Sequence, residues 1–405
     1  MGCDSAVASI PFGDGEEASA IESLIDDSGL LKRFGITRVG DITDLDIVGI
    51  PVWFAVRPNS RGLSVSQGKG ITARQARLSA VMEAIEGAVA EDTQRHVKEY
   101  GSLRMMQGRR ASLVPLSASA RVDMTRLDPD RERAWVQGYS VRTDSAVFAP
   151  YELVGMDFRA DFPWDRLAFH MSSQGLAAGF DHDRTILHAL LELIENDACF
   201  AVDAFATRQL AIRSIALPTG VSEDLDGLLN RLENIDLSPR LFDLTSANGV
   251  PVIMAALPRS VVAPNGPGTR ISAGVACRLD IYDAAVAALL EAIQSRLTDI
   301  SGARDDLSAD RYDGDKAVAG WRSLPQVPVM RPVSIELASG DMATPVWRRL
   351  ADHLFAAGVD DIYVFPLESG VPGITVIRVL GGGLAAASGG VNSFSVGALH
   401  SLLRG

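Results

Sequence analysis

Three segments of this 405-residue chain repeat one helical design, and that repetition constrains the fold more than any other feature. Each begins at a residue suited to capping a helix: Thr72, Asp181 and Asp280. Counting each cap as zero, position +11 is Glu83, Glu192 and Glu291, and position +14 is Glu86, Glu195 and Gln294. Positions +9, +10 and +13 are apolar in every copy: Val81, Met82 and Ile85; Leu190, Leu191 and Ile194; Leu289, Leu290 and Ile293. Thr72 and Gln75 stand at cap and third position, as a capping box requires. At about 100° per residue, positions +4, +7, +11 and +14 share one face within roughly 80° of arc. That face reads Ala76, Ser79, Glu83 and Glu86; then Thr185, His188, Glu192 and Glu195; then Ala284, Ala287, Glu291 and Gln294.

A second triplet predicts strands. Gly49-Ile50-Pro51, Gly249-Val250-Pro251 and Gly370-Val371-Pro372 each introduce a β-rich run, Val52 to Val56, Val252 to Leu257 and Ile374 to Leu380. Proline opens a strand without cost because the first residue need not donate to the ladder. Arg240 to Leu244 and Asp361 to Phe365 precede the second and third as further strands, each after a helical stretch. Helices mixed with hairpins at Gly-X-Pro turns predict an α+β fold, with mixed α/β sheets and packed helices. A catalytic body over 46–405 is expected, with residues 1–45 as an N-terminal appendage holding a short helical pattern near Ile21 to Phe34. The basic stretch Gln107 to Arg133 and the polar stretch Gly302 to Asp315 read as connections.

Charge then separates two meanings of the acidic face. A solvated face interleaves Lys or Arg three or four residues from each Glu, since such pairs help and like charges hurt by roughly 0.2–0.5 kcal/mol. None of the five glutamates has a basic residue at those spacings. The neighbours are small: Ala80, Gly87, Ala90, Ala189, Ala198, Ala287, Ala288 and Ser295. Five carboxylates and a carboxamide on three equivalent helices fit convergence on hard divalent cations, Mg²⁺ or Ca²⁺, with small residues leaving room for a ligand. The net charge of −13 disfavours a phosphate backbone as partner. Cys3, Cys199 and Cys277 form no CxxC and no disulfide ladder, which fits a reducing compartment. The chain shows neither a signal-peptide pattern nor an uncharged apolar run long enough to span a membrane, so a cytoplasmic protein is expected. No Walker motif is present; Gly68-Lys69-Gly70 lacks its spacing, and Gly381-Gly382-Gly383 reads as a turn.

Taken together, Ser79-x-x-x-Glu83-x-x-Glu86, Ser173 to Gly179 followed by Glu192-x-x-Glu195, and Glu291-x-x-Gln294 resemble the three signature blocks of the YcaO superfamily, in family order. The likeness runs from about Gly49 to Leu384. Val56-Arg57-Pro58-Asn59, Gly68-Lys69-Gly70 and Ser79 to Glu83 further resemble the branch that works with a TfuA partner protein. The resemblance implies a cytoplasmic, ATP- and Mg²⁺-dependent enzyme of peptide post-translational modification, such as RiPP biosynthesis, that phosphorylates a backbone amide oxygen after a nucleophile adds. A sulfur donor then yields a thioamide; a Cys, Ser or Thr side chain yields an azoline. It further implies that Glu83, Glu86, Glu192, Glu195, Glu291 and Gln294 hold Mg²⁺–ATP, with Ser79, Gln174 and Lys69 on the nucleotide, and that the chain is a homodimer. Gly87, Asn196, Gln174 and Phe180 depart from the common family pattern. The end Leu402-Leu403-Arg404-Gly405 lacks the proline-rich tail of azoline-forming members, which favours thioamidation.

His188, one turn before Glu192, is read first as a structural hydrogen-bonding histidine and second as a general base. Cys277 and Cys199 read as buried core thiols, and Trp53, Phe54, Trp135 and Trp164 as packing. No catalytic base is assigned. Three readings stay open: thioamidation enzyme, azoline-forming cyclodehydratase, and a non-catalytic peptide-binding scaffold.

Overall fold

The computed structural model describes residues 27–119, 121–205, 213–263, 266–302, 326–328, 334–337 and 343–384. The expectations for Ile21 to residue 26, for Cys3, for residues 303–315 and for Leu402 to Gly405 lie outside the described residues. Among the described residues five helices exceed two turns: α1 (Ala73–Ala90), α2 (His182–Phe205), α3 (Glu223–Glu233), α4 (Ile281–Ser301) and α5 (Val346–Ala356). Fourteen strands are β1 (Arg38–Asp41), β2 (Val52–Val56), β3 (Val65–Lys69), β4 (Val97–Ser102), β5 (Glu132–Ser140), β6 (Ala146–Pro150), β7 (Leu176–Gly179), β8 (Arg213–Ala216), β9 (Arg240–Asp243), β10 (Val252–Ala263), β11 (Gly266–Cys277), β12 (Gln326–Pro328), β13 (Asp361–Leu367) and β14 (Thr375–Gly382). They form sheets ordered β1-β2-β3, β11-β10-β9-β8-β12, and β4-β5-β13-β14-β7 with β6 on β5. Among the described residues the named strands pair antiparallel, except β12 with β8. The class is α+β, as expected. Among the described residues no helix is long and apolar enough to cross a membrane.

The three expected caps form. Gln75 N donates to Thr72 Oγ1 at 3.2 Å while Gln75 Oε1 accepts from Thr72 N, completing the capping box of α1. Asp181 accepts from Arg184 N at 2.8 Å and Asp280 from Tyr282 N at 2.7 Å. The Gly-X-Pro turns also do what their residues require. Gly49, Gly249 and Gly370 take φ of 64°, 77° and 69°, where a Cβ would be strained. They lie in the connections of the antiparallel pairs β1–β2, β9–β10 and β13–β14.

Each carboxylate-bearing helix packs on a sheet through its apolar side. Leu78, Val81 and Ile85 of α1 join a core with Trp135 and Phe365. Ile186, Leu190 and Ile194 of α2 meet Ile377 and Val379 of β14, with Trp347 and Leu350 of α5. Leu289 and Ile293 of α4 meet Ile253 of β10 and Leu228 of α3. Helix and strand backbones meet closely at two glycines. A Cβ on Gly68 of β3 would sit 2.1 Å from Ala80 N, and one on Gly274 of β11 2.3 Å from Ala292 N and 2.4 Å from Ala288 O. The alanines at Ala80 and Ala288 therefore receive the chain's own strands rather than a ligand, which corrects the sequence reading of those positions.

The described part of the 1–45 segment joins this body: Leu30, Phe34 and Ile36 enter the first core, and β1 pairs with β2. The basic stretch after Gln107 is less of a loop than expected. Val114, Leu116 and Val122 are buried, β5 begins at Glu132, and buried Arg133 pairs with Asp165 at 3.0 Å.

Candidate active site

The three helices deliver one stripe each to a common cleft. Ser79, Glu83 and Glu86 of α1, His188, Glu192 and Glu195 of α2, and Ala287, Glu291 and Gln294 of α4 are all reached by solvent. The +4 row does not join them: Ala76, Thr185 and Ala284 are buried. Gly68 of β3 lies against Ala76 and Gly179 of β7 against Thr185, so the accessible face begins one turn later than periodicity indicates.

Each carboxylate feels the others across helices. Burial, then Glu192 and Glu83, raises Glu86 well above the ordinary carboxylate range. Burial, opposed by Arg378 and aided by Glu291 and Glu83, pushes Glu192 up to about 8. Burial, then Glu291 and Glu192, raises Glu195 well above that range too. The five glutamates are thus one cluster, lining a cleft that water enters but protein surrounds. Backbone N–H groups of Ala178 and Gly175 hydrogen-bond Glu86 and Glu192, and Cys277 N donates to Glu195 Oε2 at 3.2 Å. Gln294 Nε2 donates to Gln67 O at 2.9 Å, tying α4 to β3.

Cations reach the cluster from the strands. Lys69, at the end of β3, sets Nζ 3.0 Å from Glu291 Oε2. Arg278, just after β11, and Arg378, within β14, both act on the α2 carboxylates. Sequence reasoning assigned no role to either arginine. The available signal was Arg378 itself, a charge inside the apolar run Ile374 to Leu380. His188 is open to the cleft and makes no hydrogen bond among the described residues, contrary to the structural role favoured from sequence. Burial, then Arg278 and Lys69, depresses it to about 4, so its imidazole is neutral at neutral pH.

Gln174 lies in the loop before β7 with its carbonyl accepting from Arg378 Nη1 at 2.7 Å. Gly87 leaves space that Arg57 fills: a Cβ there would sit 3.1 Å from Arg57 Nη1, and Arg57 pairs with Glu91 at 2.7 Å. Asn196 Nδ2 donates back to Glu192 O at 2.8 Å, and Phe180 packs on the first core. Cys277 is buried as expected, with burial raising its thiol well above the usual range. Cys199 is only half-buried, because it lies on the cleft side of α2 beyond Glu195. Trp135 is fully buried with Nε1 on Gly101 O at 2.9 Å, a packing role.

Hard carboxylate oxygens beside Lys69 and Arg278 suit Mg²⁺ and the phosphates it carries. Among the described residues no three His, Cys, Asp or Glu side chains close on a single point as a ready-made cage.

Fold and cluster together give three helices that present carboxylates to one cleft beside Lys69 and Arg278. The family model for YcaO cyclodehydratase, ATP- and Mg²⁺-binding, matches residues 67–385, and this chain belongs to the YcaO family. ATP and Mg²⁺ are its cofactors and ATP-dependent amide activation its chemistry. The chain is 34% identical over 365 residues to an uncharacterized protein in the tfuA 3′ region of Rhizobium leguminosarum bv. trifolii, covering 87% of this chain and 84% of that one. It is 29% identical over 372 residues to an uncharacterized protein of Methanothermobacter thermautotrophicus, covering 88% and 92%. Among solved structures it resembles YcaO from Methanopyrus kandleri bound with AMPPCP and Mg²⁺, with TM-score 0.64, 23% identity and 90% and 91% coverage. It also resembles a heterocyclase in complex with substrate and cofactor, with TM-score 0.66 and 17% identity, covering 91% of this chain but only 52% of that longer one.

Proposed function

We propose that this chain is an ATP-dependent peptide-backbone thioamidation enzyme of the cytoplasm, working as a homodimer with a TfuA-type partner, a sulfur donor and a peptide or protein substrate. The observation that carries the ATP–Mg²⁺ part is the convergence of five glutamates from three helices beside Lys69 and Arg278. The thioamide outcome is supported by the relative from the tfuA 3′ region.

In this reading Glu83, Glu86, Glu192, Glu195, Glu291 and Gln294 hold Mg²⁺–ATP, and Ser79, Gln174 and Lys69 contact the nucleotide. Bound Mg²⁺ would supply neutralisation and alignment of phosphate charge. The chain's own groups prepare the site. Glu291 keeps the Lys69 ammonium at the cleft, where it can meet a phosphate oxygen. The backbone amides of Gly175 and Ala178 orient the Glu192 and Glu86 carboxylates. His188, neutral and facing the cleft, can accept a proton there.

Calorimetric ATP titration with and without Mg²⁺ tests the site without substrate or partner. Mg²⁺-dependent binding is expected for the wild type and its loss for Glu83→Ala and Glu192→Ala; absence of binding even with the partner present would leave only the scaffold reading. ATP turnover and product mass, with sulfide and partner omitted in turn, test the outcome. A sulfide requirement with oxygen replaced by sulfur supports thioamidation, and loss of water without sulfide would assign a cyclodehydratase instead.

A further inference from the structure

Beside Gln174, whose carbonyl accepts from Arg378, is a small pocket whose wall includes Ser119, Arg121, Gln174, Leu193, Tyr363 and Gly382. Arg121 is 5% exposed and Arg378, which holds the Gln174 carbonyl, is fully buried. Buried guanidinium groups are normally neutralised by carboxylates. Arg121 is not. Its Nε donates to His170 O at 3.0 Å and its Nη2 to Glu152 O at 3.3 Å, both neutral carbonyls. The charged group that acts on it is Arg378, which together with burial pushes Arg121 well below its ordinary value. Arg121 Nη1 and Arg378 Nη2 are buried with no hydrogen-bond partner.

Two buried guanidiniums, each with an open N–H donor, and one of them, Arg121, with no carboxylate acting on it, form half of an anion site. Arg378 also acts on Glu192 and Glu86, so the pair spans from the carboxylate cluster to the pocket. Ser119 Oγ accepts the Arg121 amide, which leaves its hydroxyl hydrogen available to an acceptor.

We propose that Arg121 and Arg378 form an oxyanion site that binds inorganic phosphate, the group that leaves when an ATP-activated amide collapses. The source of the phosphate rests on the proposed function; the site itself does not, because its donors are unpaired whatever the reaction.

The test uses the full chain without ATP. Inorganic phosphate is titrated calorimetrically and by thermal unfolding against chloride and sulfate at matched ionic strength, on the wild type, Arg121→Met, Arg121→Lys and Glu83→Gln. Phosphate is expected to raise the wild-type unfolding temperature saturably and more than chloride does, with sulfate, which offers the same tetrahedral acceptors, competing for the site. Arg121→Met should bind it at least about tenfold more weakly, the loss of one charge-assisted contact. In phosphate-free buffer Arg121→Met should unfold no earlier than the wild type, since an uncompensated charge is gone. Arg121→Lys keeps the charge and guards against a folding failure; it should bind phosphate more weakly than the wild type. Glu83→Gln should keep phosphate binding even if ATP binding fails, which separates the two readings. Equal stabilisation by chloride, an unchanged response in both Arg121 variants, or loss of phosphate binding in Glu83→Gln would each overturn the proposal.

Discussion

Glu192→Gln should make the unliganded protein more stable while removing its nucleotide site. The Glu192 carboxyl is raised from 4.5 to about 8, with burial the largest cause and Glu291 and Glu83 adding to it. A group whose folded pKa is raised adds stability that is complete below the unfolded value of 4.5 and lost as pH climbs through about 8. Across that window stability falls by up to about 1.4 kcal/mol per pH unit. By pH 7 the ceiling on the loss is about 3 kcal/mol, and water entering the cleft trims it to roughly 1–2 kcal/mol. Glutamine does not titrate and keeps the shape. In urea unfolding, Glu192→Gln should therefore gain about 1–2 kcal/mol over wild type at pH 7, and the two should converge toward pH 4.5. Saturating Mg²⁺–ATP should reverse the order, since ligand at a hundredfold excess over its Kd stabilises only the binding-competent protein by about 2.7 kcal/mol. A variant less stable than wild type at every pH, or a difference that does not change with pH, would refute the electrostatic account of the cluster.

Mg²⁺–ATP binding at pH 7 should release protons, because Glu192, raised to about 8, must ionise to serve a cation, and the upward shifts of Glu86 and Glu195 act in the same direction; calorimetry in buffers of different ionisation enthalpy measures the number, and the Glu192 share should shrink above about pH 8. Gly274→Ala places a Cβ 2.3 Å from Ala292 N and 2.5 Å from Glu291 Cβ. It should cost about 1–3 kcal/mol in thermal unfolding and weaken nucleotide binding by moving Glu291, and an unaltered midpoint would contradict that packing. Lys69→Met removes a partly exposed ion pair with Glu291, so stability should change by less than about 1 kcal/mol while ATP affinity falls measurably by calorimetry.

Much of the site was written locally. Caps, apolar periodicity and the +11/+14 carboxylates depend on residues within one helix, and the helices form where those patterns start. The Gly-X-Pro turns are equally local, since a positive φ is a property of a single residue. Class and family followed from these features together. What periodicity lacked was the neighbour on each face: it counted Ala76, Thr185 and Ala284 as accessible, and took Ala80 and Ala288 as room for a ligand, where β3 and β11 in fact lie.

Everything that gives the cluster its chemistry is non-local. Lys69 and Glu291 are 222 residues apart, and Arg378 and Gln174 are 204 apart. Within each helix the glutamates have no cation, so the sequence determined an acidic stripe and its repetition. Only the tertiary structure decided that the three stripes face one another, which cations enter among them, and that Arg121 is left with no carboxylate acting on it. The physical reason is that electrostatic energy follows distance through space and the local solvent, and neither quantity is carried by spacing along the chain.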